Sequence, residues 1–132
     1  MRIYADKLKV LGELKRLKLY VLLAKSGGNY YVCELADALE EPHYSVSRSL
    51  NELKKAGLVE EQKMGKGVMY FVNQRNDPVI RSFLNFALSV PDELISRERD
   101  LLLKRATFRD KSNFCIFKLK EEWKGEGLQD NE

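Results

Sequence analysis

Tyr44, Arg48, Asn51 and Lys55 follow one another at intervals of four, three and four residues. That spacing gathers side chains on one face of an α-helix. The face carries a phenol, a guanidinium, an amide and an ammonium, the groups that hydrogen-bond to base edges and phosphates. Ser47 falls at its flank, and His43 and Ser45 stand where the stretch begins. Val46, Leu50 and Leu53 form a line almost opposite and must face a core. An amphipathic helix with no ligand has the same pattern, so the residues that follow decide the reading. Gly57 stops the helix, and two strand-like runs come next, residues 58–63 and 68–73. Met64-Gly65-Lys66-Gly67 between them is a glycine-rich hairpin turn that projects Lys63 and Lys66. A reading helix followed by a basic-tipped hairpin has the form of a helix-turn-helix with a wing, the helix for the major groove and the hairpin for the flanking backbone.

The elements that must hold this helix are legible upstream. Residues 1–25 read as helix, with Leu8, Leu11, Leu14, Leu19, Leu22 and Leu23 near helical spacing and Gly12 as a division between two segments. Ser26-Gly27-Gly28-Asn29 turns the chain. Tyr30-Tyr31-Val32 is a short β-prone run, and residues 33–40 predict a short helix with Leu35, Ala36 and Leu39 inward. Pro42 suits the first position of the reading helix, where its missing N–H costs nothing. Downstream, Asp77-Pro78 predicts a helix start. Val79, Ile80, Phe83, Leu84, Ala87 and Leu88 then form an apolar stripe wider than one small domain can bury. Pro91 opens a further helix with Leu94, Ile95, Leu101 and Leu102 inward. The fold class is therefore mainly α with a small β-hairpin: a winged helix-turn-helix with N- and C-terminal dimerisation helices.

The 132 residues fit one compact domain, residues 1–106, with an extension over 107–132. The extension holds an apolar cluster of Phe114, Cys115, Ile116, Phe117, Leu119 and Trp123, expected to be partly ordered and to thicken a dimer interface. Charge favours a polyanionic partner in one half only: residues 1–72 hold 12 Lys/Arg against 9 Asp/Glu, and residues 73–132 hold 11 of each. No apolar run reaches the roughly 20 residues that cross a bilayer, and the charged N-terminus is no signal peptide; a cytoplasmic protein is expected. Enzyme chemistry finds little support. The single histidine, His43, allows no Ser/His/Asp set, no phosphate- or dinucleotide-binding fingerprint occurs, and Glu60-Glu61 lies on a strand-like run.

The segments LGELKRLKLYVLLA, VCELADAL and VSRSLNELKKAGLVEEQKMGKGVMYFV resemble the ArsR/SmtB family of winged-helix repressors over about residues 8–73. Ser47, Arg48, Leu50, Leu53, Ala56, Gly57 and Leu58 match the family pattern. Glu13-Leu14-Lys15-Arg16 stands in place of its Asp-Pro-Thr-Arg, and Ser49 in place of a frequent histidine. The resemblance implies a homodimeric repressor on near-palindromic double-stranded DNA, released by an effector. It implies DNA contacts from His43, Tyr44, Ser45, Ser47, Arg48, Asn51, Lys55, Lys63 and Lys66. It also implies a twofold interface from the first and last helices, here Leu8, Leu11, Val79, Ile80, Phe83, Leu84 and Ala87.

Metal sensing finds weaker ground. The family's Cys-Val-Cys run is Tyr31-Val32-Cys33 in this chain, and Cys115 is the other cysteine. A thiophilic metal or metalloid wants two or three thiolates, so Cys33 and Cys115 are weak candidates and no cofactor is expected. The family's zinc site on the C-terminal dimer helix needs histidines, which residues 78–89 lack. Two rival readings remain: a winged-helix module for protein contacts without DNA, and a repressor of the MarR type.

Overall fold

The computed structural model describes residues 1–109, and its elements follow the local chemistry closely. Helix α1 (Arg2–Leu11) ends at Gly12, and α2 (Leu14–Ser26) begins at Glu13, whose carboxylate accepts a hydrogen bond from the Lys15 amide at 2.7 Å. The two-glycine turn after α2 uses positive φ at both Gly27 and Gly28, a region costly for any side chain. Strand β1 (Tyr30–Tyr31) leads directly into α3 (Val32–Leu39). A turn through Glu40, in the left-handed region, reaches α4 (His43–Lys55). Pro42 is the N-cap of α4 rather than its first helical residue, so its ring stands just outside the helix.

Strands β2 (Val59–Met64) and β3 (Gly67–Val72) pair with Met64 opposite Gly67. The loop is therefore two residues, Gly65-Lys66, with Gly65 at φ 60°. Tight hairpins that match strand twist want glycine in that first position. The sheet has three strands, not two: β1 pairs with β3, which lies in the centre of the order β1-β3-β2. Strand β3 therefore has a hydrogen-bonded neighbour on each edge, and its two faces are covered by different clusters. Val72 joins the main core, while Met69 packs with Tyr31, Cys33 and Met64 in a smaller cluster under the hairpin.

Helix α5 (Pro78–Ser89) is capped by Asp77, whose carboxylate accepts from the Val79 and Ile80 amides at 2.9 and 3.2 Å. Pro91 does not start an α-helix. It precedes a 3-10 turn, Asp92–Leu94, which leaves Leu94 exposed, and α6 (Ser96–Ala106) follows. Helix α6 packs on α3, and α3 buries Glu34 and Asp37 as well as its apolar face, while Cys33 lies under the hairpin. Arg105, fully buried, donates from Nε to Asp37 Oδ2 at 2.8 Å. A buried carboxylate and guanidinium are tolerable only as such a pair. Arg109 grips Glu34 with two bonds of 2.6 and 2.9 Å, and its guanidinium lies 5.8 and 5.6 Å from the Tyr30 and Tyr31 ring centres. The core joins α2, α3 and α4 around Leu19, Leu22, Leu35, Leu50 and Leu53. The apolar cluster expected over residues 114–123 lies outside the described residues.

Candidate nucleic-acid interface

Helix α4 presents the face that its sequence spacing implied. Val46, Leu50 and Leu53 are buried, while His43, Tyr44, Arg48, Asn51 and Lys55 are exposed. Tyr44 is 67% exposed and presents its ring and hydroxyl to solvent. Ser45 and Ser47 are half-buried at the flanks, and the Ser45 hydroxyl lies 3.3 Å from Glu41 Oε1. The helix ends in a Schellman closure: the Leu58 amide donates to Leu53 O at 3.0 Å and the Gly57 amide to Lys54 O at 2.9 Å. Gly57 takes φ 77° there, so the glycine is required by the backbone rather than by packing.

In front of this face lies a polar cleft of about 400 Å³. One wall is α4, with Tyr44, Arg48 and Asn51. The other is the start of α2, with Lys15 and Arg16. Sequence spacing within α4 could not supply these two cations, because they come from a different helix. Arg16 is the one residue of the family's Asp-Pro-Thr-Arg that this chain keeps. Arg16 is also structural: its Nε donates to Val10 O at 2.8 Å and so caps α1. Glu13 and Glu52 also line the cleft and limit its positive charge.

On the hairpin, Lys63 and Lys66 are both exposed at the turn. Tyr31 fixes the hairpin's base. A Cβ placed on Gly67 would stand 2.7 Å from the Tyr31 ring, itself buried, so only glycine lets β3 start there. Lys54 is engaged elsewhere: it donates to Glu61 on β2, and that bond holds its ammonium pKa above the usual lysine range. Lys55 has only a loose 3.7 Å pairing with Glu52, with both side chains exposed, so it is available to an outside anion.

The residues expected at a dimer interface divide. Leu8, Val79 and Phe83 line an open apolar groove between α1 and α5, together with Leu11, Leu17 and Phe86. Ile80 and Ala87 instead turn into the subunit's own core, and Leu11 is also largely buried. Leu84 is half-buried against that core. Phe86, 52% exposed, takes their place on the outer stripe. Cys33 is buried and disulfide-bonded, so it offers no free thiolate in this state. Cys115 lies outside the described residues. Among the described residues, no group of three or more His, Cys, Asp or Glu side chains could hold a metal ion. None of the helices described is long and apolar enough to cross a membrane.

Comparison with known proteins agrees with this architecture. The model of the bacterial regulatory protein family arsR matches residues 15–61, the span from the start of α2 to β2. An uncharacterized HTH-type transcriptional regulator from Methanocaldococcus jannaschii is 38% identical over 68 residues, which cover 52% of this chain and 75% of that protein. The arsenical resistance operon repressor of Escherichia coli is 27% identical over 107 residues, 81% of this chain and 91% of the relative. A cadmium resistance transcriptional regulatory protein, CadC, from Listeria innocua is 36% identical over 64 residues, 48% of this chain and 53% of the relative. With the helix-turn-helix, the paired wing and the solvent-facing polar side of α4 all in place, the chain belongs to the ArsR family of helix-turn-helix transcriptional regulators, which are DNA-binding proteins and not enzymes.

Proposed function

We propose that this chain is a homodimeric repressor that inserts α4 into the major groove of a near-palindromic operator. The observation that carries the reading is the exposed set Tyr44, Arg48, Asn51 and Lys55 standing over a helix face that is otherwise buried. Arg48 and Asn51 supply the planar, two-pronged hydrogen bonding that reads guanine and adenine edges. His43, Ser45, Ser47 and Lys55 are the phosphate contacts around them, and Lys63 and Lys66 reach the backbone beside the site. The groove of Leu8, Val79, Phe83 and Phe86 receives the same groove of a second copy. Such a twofold contact matches a palindromic site. A regulator of this kind works in the cytoplasm.

The test is fluorescence anisotropy on duplex DNA from just upstream of the protein's own gene, against a scrambled duplex. Arg48→Ala should cost about 1–3 kcal/mol on the native duplex and relax its preference over the scrambled one. Lys66→Ala should weaken both duplexes alike and reduce the salt slope by about 1. Equal, weak binding to both duplexes that ignores Arg48→Ala would defeat the reading and favour a protein-interaction module.

Two of the relatives carry arsenical and cadmium resistance in their names. If this chain answers to a thiophilic ion, the ligands must come from Cys33 and Cys115 after reduction. Arsenite titrated into the reduced protein–DNA complex checks this, and unchanged anisotropy would remove the idea.

A further inference from the structure

The end of α4 is held from outside by two side chains that the reading of DNA contacts does not use. Lys7, on α1, donates its ammonium to the Ala56 carbonyl. Asn73, just past β3, donates from Nδ2 to the Gly57 carbonyl at 2.7 Å. These are consecutive carbonyls at the C-terminus of the reading helix. There the helix dipole is negative and a cation is favoured. Asn73 is buried and fixed by two more bonds: its amide donates to Leu58 O at 3.0 Å, and its Oδ1 accepts from the Arg75 amide at 2.9 Å. The Lys7 ammonium also lies 3.4 Å from where a Cβ on Gly57 would stand, so the Schellman turn and the lysine fit each other closely.

Where these two residues come from gives the clamp its meaning. Lys7 precedes Leu8, which lines the apolar groove between α1 and α5. Asn73 begins the short segment that runs through Asp77 into α5. Both walls of the groove are thus joined, through one side chain each, to the end of α4. Helix α1 buries only Leu11 fully; beyond Lys7, its other ties are Val10, half-buried against the core, and the Arg16 bond to the Val10 carbonyl.

We propose that Lys7 and Asn73 are positioning residues that set the pose of α4 on DNA from the α1–α5 face, so that whatever moves α1 changes operator affinity. This rests on the DNA-binding reading above. Neither residue need touch DNA. A shift of α4 by a fraction of a side chain separates bidentate base contacts while leaving phosphate attraction intact.

Lys7→Met keeps the apolar stem and removes the donor; Lys7→Arg keeps a donor and the charge. Two measurements are made on the full chain: amide hydrogen exchange at residues 56–58, and affinity for the native and scrambled duplexes across a salt series. The expected result for Lys7→Met is faster exchange at residues 56–58 and a loss of about tenfold on the native duplex, within the usual range of coupling between sites. Affinity for the scrambled duplex and the salt slope stay unchanged, and Lys7→Arg restores both properties. Unchanged exchange at residues 56–58 overturns the proposal. So does an equal loss on both duplexes with a shallower salt slope, which would make Lys7 a phosphate contact. Faster exchange in a protein whose wild type cannot tell the two duplexes apart would support the clamp and defeat the DNA reading instead.

Discussion

Tyr20 shows how much a single group can cost. Its side chain is buried in the core, and its hydroxyl has no hydrogen-bond partner among the described residues. Burial alone pushes its pKa from 10.0 up to about 12. The folded state therefore favours the neutral phenol. Its contribution is intact below pH 10 and is lost as the pH rises through about 12. Tyr20→Phe removes the unpaired oxygen and is expected to stabilise the fold by about 1 kcal/mol, with a flatter alkaline limb. Urea titrations at pH 7 and at alkaline pH measure both; a loss of stability at pH 7 would show that the hydroxyl has a partner. At this scale the sequence revealed residues that share one helix. Arg48 and Asn51 were legible because three residues bring them to one face. Lys7, Asn73 and Arg105 were not, because their partners lie 49, 16 and 68 residues away and no local period links them.

At the scale of elements, the glycines were the clearest signs, and Gly57 the most consequential. With φ at 77°, any other residue is strained there by about 1–2 kcal/mol. Gly57→Ala should lose stability in that range, and the new methyl would stand in contact with the Lys7 ammonium, 3.4 Å away. Chemical denaturation gives the first effect, and a Lys7→Met background reports the second as non-additivity. Unchanged stability would mean that the end of α4 rearranges freely. Helix ends at Gly12, Gly27 and Gly57 and the turn at Gly65 were all readable from local chemistry. Strand β1 was read as β-prone, but its place in the sheet was not, since two residues have no alternation to register with β3. The outward turn of Leu94 was hidden too. A proline marks a helix start equally well for a 3-10 turn and for an α-helix.

For the whole molecule, the proposed dimer rests on the groove between α1 and α5. Phe86 is half exposed, so Phe86→Glu should leave the subunit's own stability within about 0.5 kcal/mol. A charge in that groove should abolish pairing. Sedimentation equilibrium is expected to give a dimer for the wild type and a monomer for Phe86→Glu. The melting temperature should rise with concentration only in the wild type. Concentration-independent melting of the wild type would place the interface elsewhere. The excess of apolar residues in α1 and α5 was visible in the sequence, because it exceeded what a small domain can hide. Which of them face outward was not, because α5 is apolar over most of its circumference. Ile80 and Ala87 turn inward, toward the core on the side of α2.

The groove has one more property, which concerns the order of synthesis. Its walls come from well-separated parts of the chain: Leu8 and Leu11 belong to α1, and Val79, Phe83 and Phe86 belong to α5, which follows the wing. A nascent chain that has released only its first helices shows half of a groove, with nothing opposite to complete it. On the pairing proposed above, two unfinished copies on neighbouring ribosomes lack this face. The proposed pairing surface exists only once the chain through α5, and with it α4, Lys7 and Asn73, has been made.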